Sequence, residues 1–328
     1  MKLLILVQHR LDLWNTPAWF PQRLEKDFPQ VEAVSRDSYD SAEKDLQDAE
    51  VLVSWSLRPE QFRTARKLRW VHSPAAAVHL FMFPEFIQSD VLLTNAREVH
   101  GPVVAEQVMA MILALAKLLP QAVRFQLKHE WGQDAAWTAR PRIREIEGAT
   151  LGLLGLGSIG RGVATRAAAL GMRVMGVRGN PEKGVPAGVQ QVFPMAQLDD
   201  VLAQSDYVVL SLPVTPETRG LMNADRLGRM KRDACLVNVG RGPLVDEVAL
   251  AEALRNRTIG GAALDVFEKE PLPADSALWG LENLLITPHT AGMTEKLWER
   301  HYVLIAENLR RYLTGQPMLG LVDKRRGY

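Results

Sequence analysis

The feature that most limits what this chain can fold into is a glycine loop in its middle. Gly155, Gly157 and Gly160 form G-x-G-x-x-G directly after the apolar segment 150–154 and directly before a segment of helical character. In this setting the first glycine permits a tight turn, the second lets the backbone approach a pyrophosphate, and the third lets helix and strand pack closely. The helix N-terminus adds unpaired N–H groups and a partial positive charge. The loop therefore predicts a parallel α/β fold that binds a dinucleotide.

Segments of strand and helix character alternate twice along the 328 residues, which favours two doubly wound parallel-sheet (Rossmann/flavodoxin-like) domains with an active-site cleft between them. The predicted strands are 3–7, 51–53, 70–72, 91–94, 150–154, 173–177, 207–211, 234–239, 261–264 and 284–287. The predicted helices include 59–65, 103–119, 247–255 and 294–312. Because the glycine loop lies mid-chain, we predict a domain of residues 98–290 inserted into one formed by 1–97 and 291–328.

Charge and cysteine content argue against several classes of protein. There are 39 basic and 38 acidic residues, a formal net charge of +1, so no strong field recruits nucleic acid or an anionic membrane. Polar and charged residues interrupt the longest apolar run, 103–119, which therefore predicts a core helix rather than a membrane span. Cys235 is the only cysteine, so no internal disulfide can form, and we predict a buried strand residue in a cytoplasmic protein. We predict no metal site.

Arg178 directly follows the second strand of the cofactor series, 173–177. An Asp or Glu there would accept hydrogen bonds from the ribose 2′-hydroxyl of NAD and would repel a 2′-phosphate, whereas a guanidinium can bind that phosphate through two bonds. Arg178, with Asn180 and Lys183 close behind, predicts a preference for NADPH over NADH. The alternative is a solvated surface arginine and a site that accepts both cofactors.

Five segments in order carry a family resemblance. They are Leu153–Gly160, SLPVTPET at 211–218, VNVGRG at 237–242, ALDVFEKEPL at 263–272 and TPHTAG at 287–292. The series resembles the D-isomer-specific 2-hydroxyacid dehydrogenases, and with Arg178 it is similar to their NADP-type glyoxylate/hydroxypyruvate reductases. The resemblance implies hydride transfer between NADPH and a small 2-keto acid, giving a D-2-hydroxy acid. It also implies that 98–290 binds the dinucleotide and that the other domain binds the substrate.

The resemblance assigns catalytic roles to three residues. Arg241, flanked by glycines, would bind the substrate carboxylate and polarise the keto oxygen, tasks that suit a planar fork of donors. His289 would donate or accept the hydroxyl proton, and Glu270 would pair with its ring and orient it. Taken alone, Arg241 could be a surface salt-bridge partner and Glu270 part of a charged loop, 268–270, but the glycines beside Arg241 and the spacing of Glu270 from Asp265 favour the catalytic roles.

The same resemblance implies two sets of binding residues. Asp265 would bond the nicotinamide carboxamide, and the loop 73–79 would hold the substrate carboxylate. The family usually has a glycine where this chain has Ala77, which indicates either a backbone angle that alanine tolerates or a tighter pocket. The substrate set is Ala76, Ala77, Val78, Arg241 and His289. The cofactor set is Gly155, Leu156, Gly157, Ser158, Ile159, Gly160, Arg178, Asn180, Leu212, Pro213, Thr218, Val239, Gly240, Asp265 and Gly292.

The resemblance also implies a homodimer. Trp131 and Trp137 lie in a stretch that crosses to the partner subunit in related reductases. Either one of them walls the partner's pocket, or both pack at an ordinary interface or surface. Two other functions stay open on the sequence. One is a non-catalytic dinucleotide-sensing dimer of the corepressor type, and the other is a dehydrogenase of another small substrate such as phosphite.

Overall fold

The computed structural model describes residues 1–38 and 42–327. It divides the chain into two compact units, one formed by Met1–His100 with Met293–Tyr328 and the other by Gly101–Gly292. Each unit is built on a parallel sheet with helices, which confirms the predicted fold class. The binding roles assigned to the two domains stay predictions.

The strands and helices are numbered in chain order. The strands are β1 Lys2–Leu6, β2 Glu32–Ser35, β3 Val51–Ser54, β4 Trp70–Ser73, β5 Leu92–Asn95, β6 Thr150–Leu154, β7 Arg173–Val177, β8 Gln191–Phe193, β9 Tyr207–Leu210, β10 Cys235–Asn238, β11 Gly261–Leu264 and β12 Leu284–Ile286. The α-helices are α1 Trp19–Asp27, α2 Glu43–Asp48, α3 Pro59–Thr64, α4 Pro84–Gln88, α5 Gly101–Ala116, α6 Leu119–Leu127, α7 Gln133–Thr138, α8 Ser158–Ala169, α9 Leu198–Gln204, α10 Ala224–Arg229, α11 Glu247–Arg255 and α12 Leu297–Leu313.

The first unit contains a five-stranded sheet in the order β2-β1-β3-β4-β5, with every pair parallel. Side chains of β1 alternate between its two faces. Leu3 and Ile5 join a core with residues of α1 and α12, whereas Leu4 and Leu6 join a second core with residues of α2 and α4. Apolar residues therefore cover both faces, as a fully parallel sheet requires.

The second unit contains a seven-stranded parallel sheet in the order β12-β11-β10-β9-β6-β7-β8. The chain runs outward from β6 through β7 to β8 and then returns to β9 on the other side of β6. Open α/β sheets bind ligands at such a switch point, beyond the carboxyl ends of the strands. The glycine loop and the loops after β9, β10 and β11 all leave from this edge.

Several local predictions differ from the structure. The strands β2 and β8 were not predicted, and the long core helix ends at Ala116 instead of continuing to 119. The stretch after it, for which the sequence predicted no helix, contains α6 and α7. Cys235 lies buried in β10, as predicted, and burial raises the pKa of its thiol to about 11.

Among the described residues, no single helix is long and apolar enough to cross a membrane. The pair α5 and α6 has that length and composition together but is bent by 66°. Val108 and Ile112 of α5 are fully buried in the core of the second unit, which explains the apolar character of that helix.

Candidate active site

The glycine loop has the geometry that a bound dinucleotide requires. Gly155 has φ +101°, and a Cβ there would lie 2.7 Å from the Ser211 carbonyl oxygen. A Cβ on Gly160 would lie 2.1 Å from the Gly155 carbonyl oxygen, so this glycine permits the close approach of α8 to the strand. A Cβ on Gly157 would meet no atom within 4 Å. The space over Gly157 is therefore open at the N-terminus of a helix, where phosphates bind.

The other residues of this loop divide between core and surface. Leu156 is buried and packs against Gly176 of β7, where an added Cβ would lie 2.7 Å from Leu156 Cδ1. Ile159 packs partly buried against the same core, and Ser158 begins α8. Leu156 and Ile159 thus anchor the loop, while Gly157 and Ser158 present its outer surface.

Two of the residues predicted to select the cofactor, Arg178 and Asn180, follow the end of β7. The Arg178 guanidinium donates to the carbonyl of Gly184 and, at 3.4 Å, to that of Pro181. Its Nε is buried and meets no acceptor in the parts of the chain that the structure describes. The Asn180 side chain accepts from the Glu182 N–H at 3.2 Å and caps a short 3-10 helix. Both side chains therefore shape the turn 181–184.

Thr218 closes the loop that follows β9. Its hydroxyl donates to the Pro213 carbonyl at 2.7 Å and accepts from the Thr215 N–H at 2.7 Å. Leu212 packs against the core of the unit at the start of the same loop. The contacts of Thr218 fix the loop conformation, a function that sequence reasoning did not assign to it.

Arg241 is held by the loop that follows β10. The buried Asn238 donates to the Arg241 carbonyl at 3.0 Å and accepts from the Gly240 N–H at 3.1 Å. A Cβ on Gly242 would lie 1.8 Å from the Phe267 carbonyl carbon, so only glycine lets this loop touch the loop after β11. The role of Asn238 could not be predicted from the sequence, because it depends on how the loop after β10 folds back on itself.

His289 and Glu270 form a hydrogen-bonded pair. The distance from His289 Nδ1 to Glu270 Oε2 is 2.6 Å, and Glu270 Oε1 accepts from the Phe267 N–H at 3.0 Å. With Nδ1 engaged, Nε2 is the ring nitrogen left to exchange a proton with a ligand. The His289 side chain is 53% exposed, so a ligand can reach it.

Glu270 also acts on Arg241. Desolvation by the surrounding protein lowers the pKa of the Arg241 guanidinium, and the nearby negative charge of the Glu270 carboxylate opposes that shift. The three residues predicted to be catalytic follow β10, β11 and β12, which are neighbours in the sheet. The fold therefore brings a guanidinium, an imidazole and a carboxylate to one edge of the sheet.

Asp265 holds the turn that carries His289. Its buried carboxylate accepts from the Thr287 hydroxyl at 2.5 Å and from the N–H groups of Thr290 at 2.9 Å and Ala291 at 3.1 Å. The Asp265 carbonyl also accepts from the His289 N–H at 2.9 Å, and His289 adopts a left-handed φ of +54°. The bond predicted between Asp265 and the nicotinamide carboxamide stays a prediction. The bonds that Asp265 makes to the turn at 287–291 were not predicted from the sequence.

The predicted carboxylate loop lies in the first unit, after β4. Among the described non-glycine residues, positive φ occurs at Leu118, His129, Arg257 and His289. Ala77 therefore has a backbone angle that alanine tolerates, which favours the first of the two explanations for the missing glycine. No group of three His, Cys, Asp or Glu side chains that could hold a metal occurs within residues 1–38 and 42–327.

Comparisons with known proteins agree with this architecture. Residues 109–291 match the model of the family described as "D-isomer specific 2-hydroxyacid dehydrogenase, NAD binding domain". A glyoxylate reductase from Korarchaeum cryptofilum is 35% identical over 287 residues, covering 85% of this chain and 84% of that protein. The chain spans only 52% of a D-3-phosphoglycerate dehydrogenase from Methanocaldococcus jannaschii, to which it is 33% identical over 286 residues, 85% of the chain.

A solved structure matches nearly the whole chain. It is a D-isomer specific 2-hydroxyacid dehydrogenase from Xanthobacter autotrophicus in complex with NADPH and MES. The two proteins are 33% identical, the match covers 99% of each chain, and the TM-score is 0.83. Both units of the present chain thus have counterparts in that protein.

Proposed function

The chain belongs to the D-isomer specific 2-hydroxyacid dehydrogenase family, and from this premise we propose that it transfers a hydride between NADPH and a small 2-keto acid, giving a D-2-hydroxy acid. The observation that carries the proposal is the 2.6 Å bond between His289 and Glu270 beside Arg241. The likeness to a glyoxylate reductase supports glyoxylate and hydroxypyruvate as the first substrates to test. A dinucleotide sensor has no use for a proton-exchanging pair, so this geometry favours catalysis over the corepressor alternative.

The chemistry follows from what each side chain can do. Bound NADPH supplies the hydride to the keto carbon. Arg241 binds the carboxylate of the substrate and polarises its keto oxygen. His289 gives a proton to that oxygen as it becomes a hydroxyl, and a positioned general acid contributes typically about 10²–10⁴-fold. Glu270 orients the ring and stabilises the form that carries two protons. Ala76, Ala77 and Val78 contribute backbone N–H groups to the carboxylate.

The open space over Gly157 and the N-terminus of α8 fit the pyrophosphate of a nicotinamide dinucleotide. We assign the remaining predicted cofactor residues to the same ligand, with Arg178 favouring the 2′-phosphate of NADPH. The NADPH bound to the relative from Xanthobacter autotrophicus supports that preference. NADH would bind more weakly because it lacks the group that a guanidinium recognises.

We further propose a homodimer that works in the cytoplasm. Large apolar side chains are exposed along the segment 119–143, which we call the apolar arm. A second copy of this chain would cover them, since monomers rarely expose so many together. They are Leu119, Val123, Leu127, Trp131, Trp137 and Ile143.

The experiment follows nicotinamide absorbance with purified protein, NADPH or NADH, and glyoxylate, hydroxypyruvate, pyruvate or a phenyl-substituted keto acid. We expect NADPH oxidation with at least one keto acid. His289→Ala should lower kcat by about 10²–10⁴-fold with little change in NADPH affinity. His9→Ala is the matched control, because that histidine is also exposed and lies outside both the proposed site and the apolar arm.

Tight NADPH binding without turnover of any keto acid would instead point to a sensor. Turnover of phosphite alone would keep the hydride transfer but reject the substrate class.

A further inference from the structure

Three consecutive carbonyl groups of the loop at 74–78, those of Ala75, Ala76 and Ala77, accept hydrogen bonds from residues at the carboxyl ends of β4 and β5. This loop connects β4 to a short 3-10 helix and is the one that we propose to bind the substrate carboxylate. Its three carbonyl contacts are Ala96 N–H to the Ala75 oxygen at 3.2 Å, Asn95 Nδ2 to the Ala76 oxygen at 2.7 Å, and Ser73 Oγ to the Ala77 oxygen at 3.5 Å.

This pattern determines where the N–H groups point. Across a trans peptide bond, the carbonyl and the N–H that follows it project to opposite sides. Each N–H therefore points away from the residue that holds the preceding carbonyl: the Ala76 N–H away from Ala96, the Ala77 N–H away from Asn95, and the Val78 N–H away from Ser73. None of these three N–H groups meets an acceptor within residues 1–38 and 42–327. Successive unpaired N–H groups form a concavity that attracts an anion.

Asn95 makes the shortest of these contacts. It ends β5, is 2% exposed, and stands opposite Ser73 in the sheet. Its Oδ1 is buried and has no hydrogen-bond partner in the described chain. A buried polar atom without a partner costs about 1–3 kcal/mol, so stability alone gives little reason for an amide at this position. The bond that the amide donates to the Ala76 carbonyl explains why an asparagine lies here.

The C-terminal segment holds the backbone of Asn95 in turn. The Asn95 N–H donates to the Gly320 carbonyl at 3.0 Å, and the Val322 N–H donates to the Leu93 carbonyl at 2.9 Å. Gly320 has φ +67°, and a Cβ there would lie 2.6 Å from the Asn95 carbonyl oxygen. The chain end thus runs antiparallel along the free edge of β5 and fits closely against Asn95.

We propose that Asn95, clamped by the C-terminal segment 320–322, is a positioning residue for the substrate anion. It sets the orientation of the peptide between Ala76 and Ala77, and through it the N–H that receives the carboxylate. This inference rests on the proposed function, since it concerns the same loop.

The test compares Asn95→Ala and Asn95→Asp with Asn283→Ala in the full chain. Asn283 is a matched control, because it is also a buried amide that donates to backbone carbonyls, those of Leu254 and Gly260, in the second unit. Kinetics with glyoxylate, NADPH affinity by fluorescence and the melting temperature are measured for each. We expect both Asn95 variants to raise the KM for glyoxylate about tenfold or more, with NADPH affinity unchanged. Asn283→Ala should lower only the melting temperature.

The aspartate variant adds a pH readout that a purely structural role would not move. A protonated carboxyl can donate to the Ala76 carbonyl again, whereas a carboxylate cannot. The excess KM of Asn95→Asp over the wild type should therefore shrink as the pH falls.

The outcomes separate the two proposals. An active wild type together with an unchanged KM in Asn95→Ala, or in Asn95→Asp if the alanine variant does not fold, overturns this inference alone. Loss of NADPH binding in both variants would make Asn95 a fold-determining residue and also overturn it. A wild type that turns over no keto acid overturns the proposed function, and this inference with it.

Discussion

Arg178 is the residue on which cofactor choice should depend. Replacing it by aspartate removes the donors and puts a like charge against a 2′-phosphate. We expect kcat/KM with NADPH to fall by about 10²-fold or more, because hydrogen bonds to charged groups are worth about 1.5–3 kcal/mol and repulsion adds to their loss. The value with NADH should change far less.

Arg173→Asp is the control for this change, since Arg173 lies at the other end of the same strand. The assay is steady-state kinetics with both cofactors. Equal losses with NADPH and NADH in Arg178→Asp would show that the residue only supports the turn 181–184.

Two buried histidines should make the protein sensitive to acid. His72 and His301 are fully buried, and His301 has no hydrogen-bond partner on either nitrogen among the described residues. Burial lowers the pKa of His72 to about 3. Burial also lowers the pKa of His301 well below its ordinary value, with His100 and His72 adding to the shift.

The sign of the effect follows from proton binding. In the unfolded chain these rings take up protons near pH 6.5, but in the folded protein they do so only at much lower pH. Between these values the unfolded state binds more protons, so the free energy of unfolding falls as the pH drops below about 6.5. Each ring contributes up to about 1.4 kcal/mol per pH unit.

Urea unfolding at several pH values between 5 and 8 measures this slope. His301→Gln should show a shallower fall in the free energy of unfolding than the wild type. Parallel slopes in the two proteins would contradict the assignment.

At the scale of elements, substitution by alanine should have different effects at two glycines, Gly157 and Gly228, that have similar surroundings. Neither Gly157 nor Gly228 has an atom within 4 Å of an added Cβ, so both accept alanine without a clash. Gly157→Ala should keep its melting temperature and weaken NADPH binding about tenfold or more, because the methyl group fills the space that the pyrophosphate needs. Gly228→Ala, inside α10, should stabilise the fold by about 0.5–1 kcal/mol.

Calorimetry and NADPH titration of both variants provide the check. Unchanged affinity in Gly157→Ala would mean that the pyrophosphate does not approach this loop.

Strands that are buried on both faces were predicted more accurately than strands that are partly exposed. The strands at 150–154, 173–177 and 261–264 have the predicted bounds, because continuous apolar runs between turn residues mark strands buried on both faces. The edge strands β2 and β8 were missed, since they are short and partly exposed and have no such run. Pro120 and Gly132 are residue types that usually mark loops. In the structure, however, Pro120 lies in the first turn of α6 and Gly132 directly precedes α7.

In the candidate site, too, some features could be predicted from local sequence and others could not. Arg241, Glu270 and His289 lie in motifs that local sequence reveals. The contacts that hold them, from Asn238 and Asp265, depend on which loops meet in space, and local sequence does not encode this. The Asn95 contact with Ala76 likewise joins the end of β5 to the loop after β4.

At the scale of the whole molecule, assembly should depend on the apolar arm. Leu127 and Trp131 are 76% and 91% exposed, and in a dimer they would leave water. The double change Leu127→Glu with Trp131→Glu should convert the dimer into a monomer, because burying two carboxylates without partners is strongly unfavourable.

Val303→Glu serves as the comparison, since Val303 is 69% exposed on α12, outside the arm. Light scattering coupled to size exclusion gives the mass of each protein. The proposal fails if the wild type is monomeric or if the double variant keeps the wild-type mass.

The discontinuous course of the first unit has a consequence for synthesis. The core that contains Leu3 and Ile5 is completed by Tyr302, Ile305 and Leu309 of α12, near the end of the chain. The inserted unit, by contrast, is encoded in one uninterrupted stretch. Because a chain leaves the ribosome from its N-terminus, the inserted unit can fold while the first unit still lacks its last helix. The unit whose strands are translated first is thus completed last, and until then the face of its sheet that carries Leu3 and Ile5 lacks the helix that covers it.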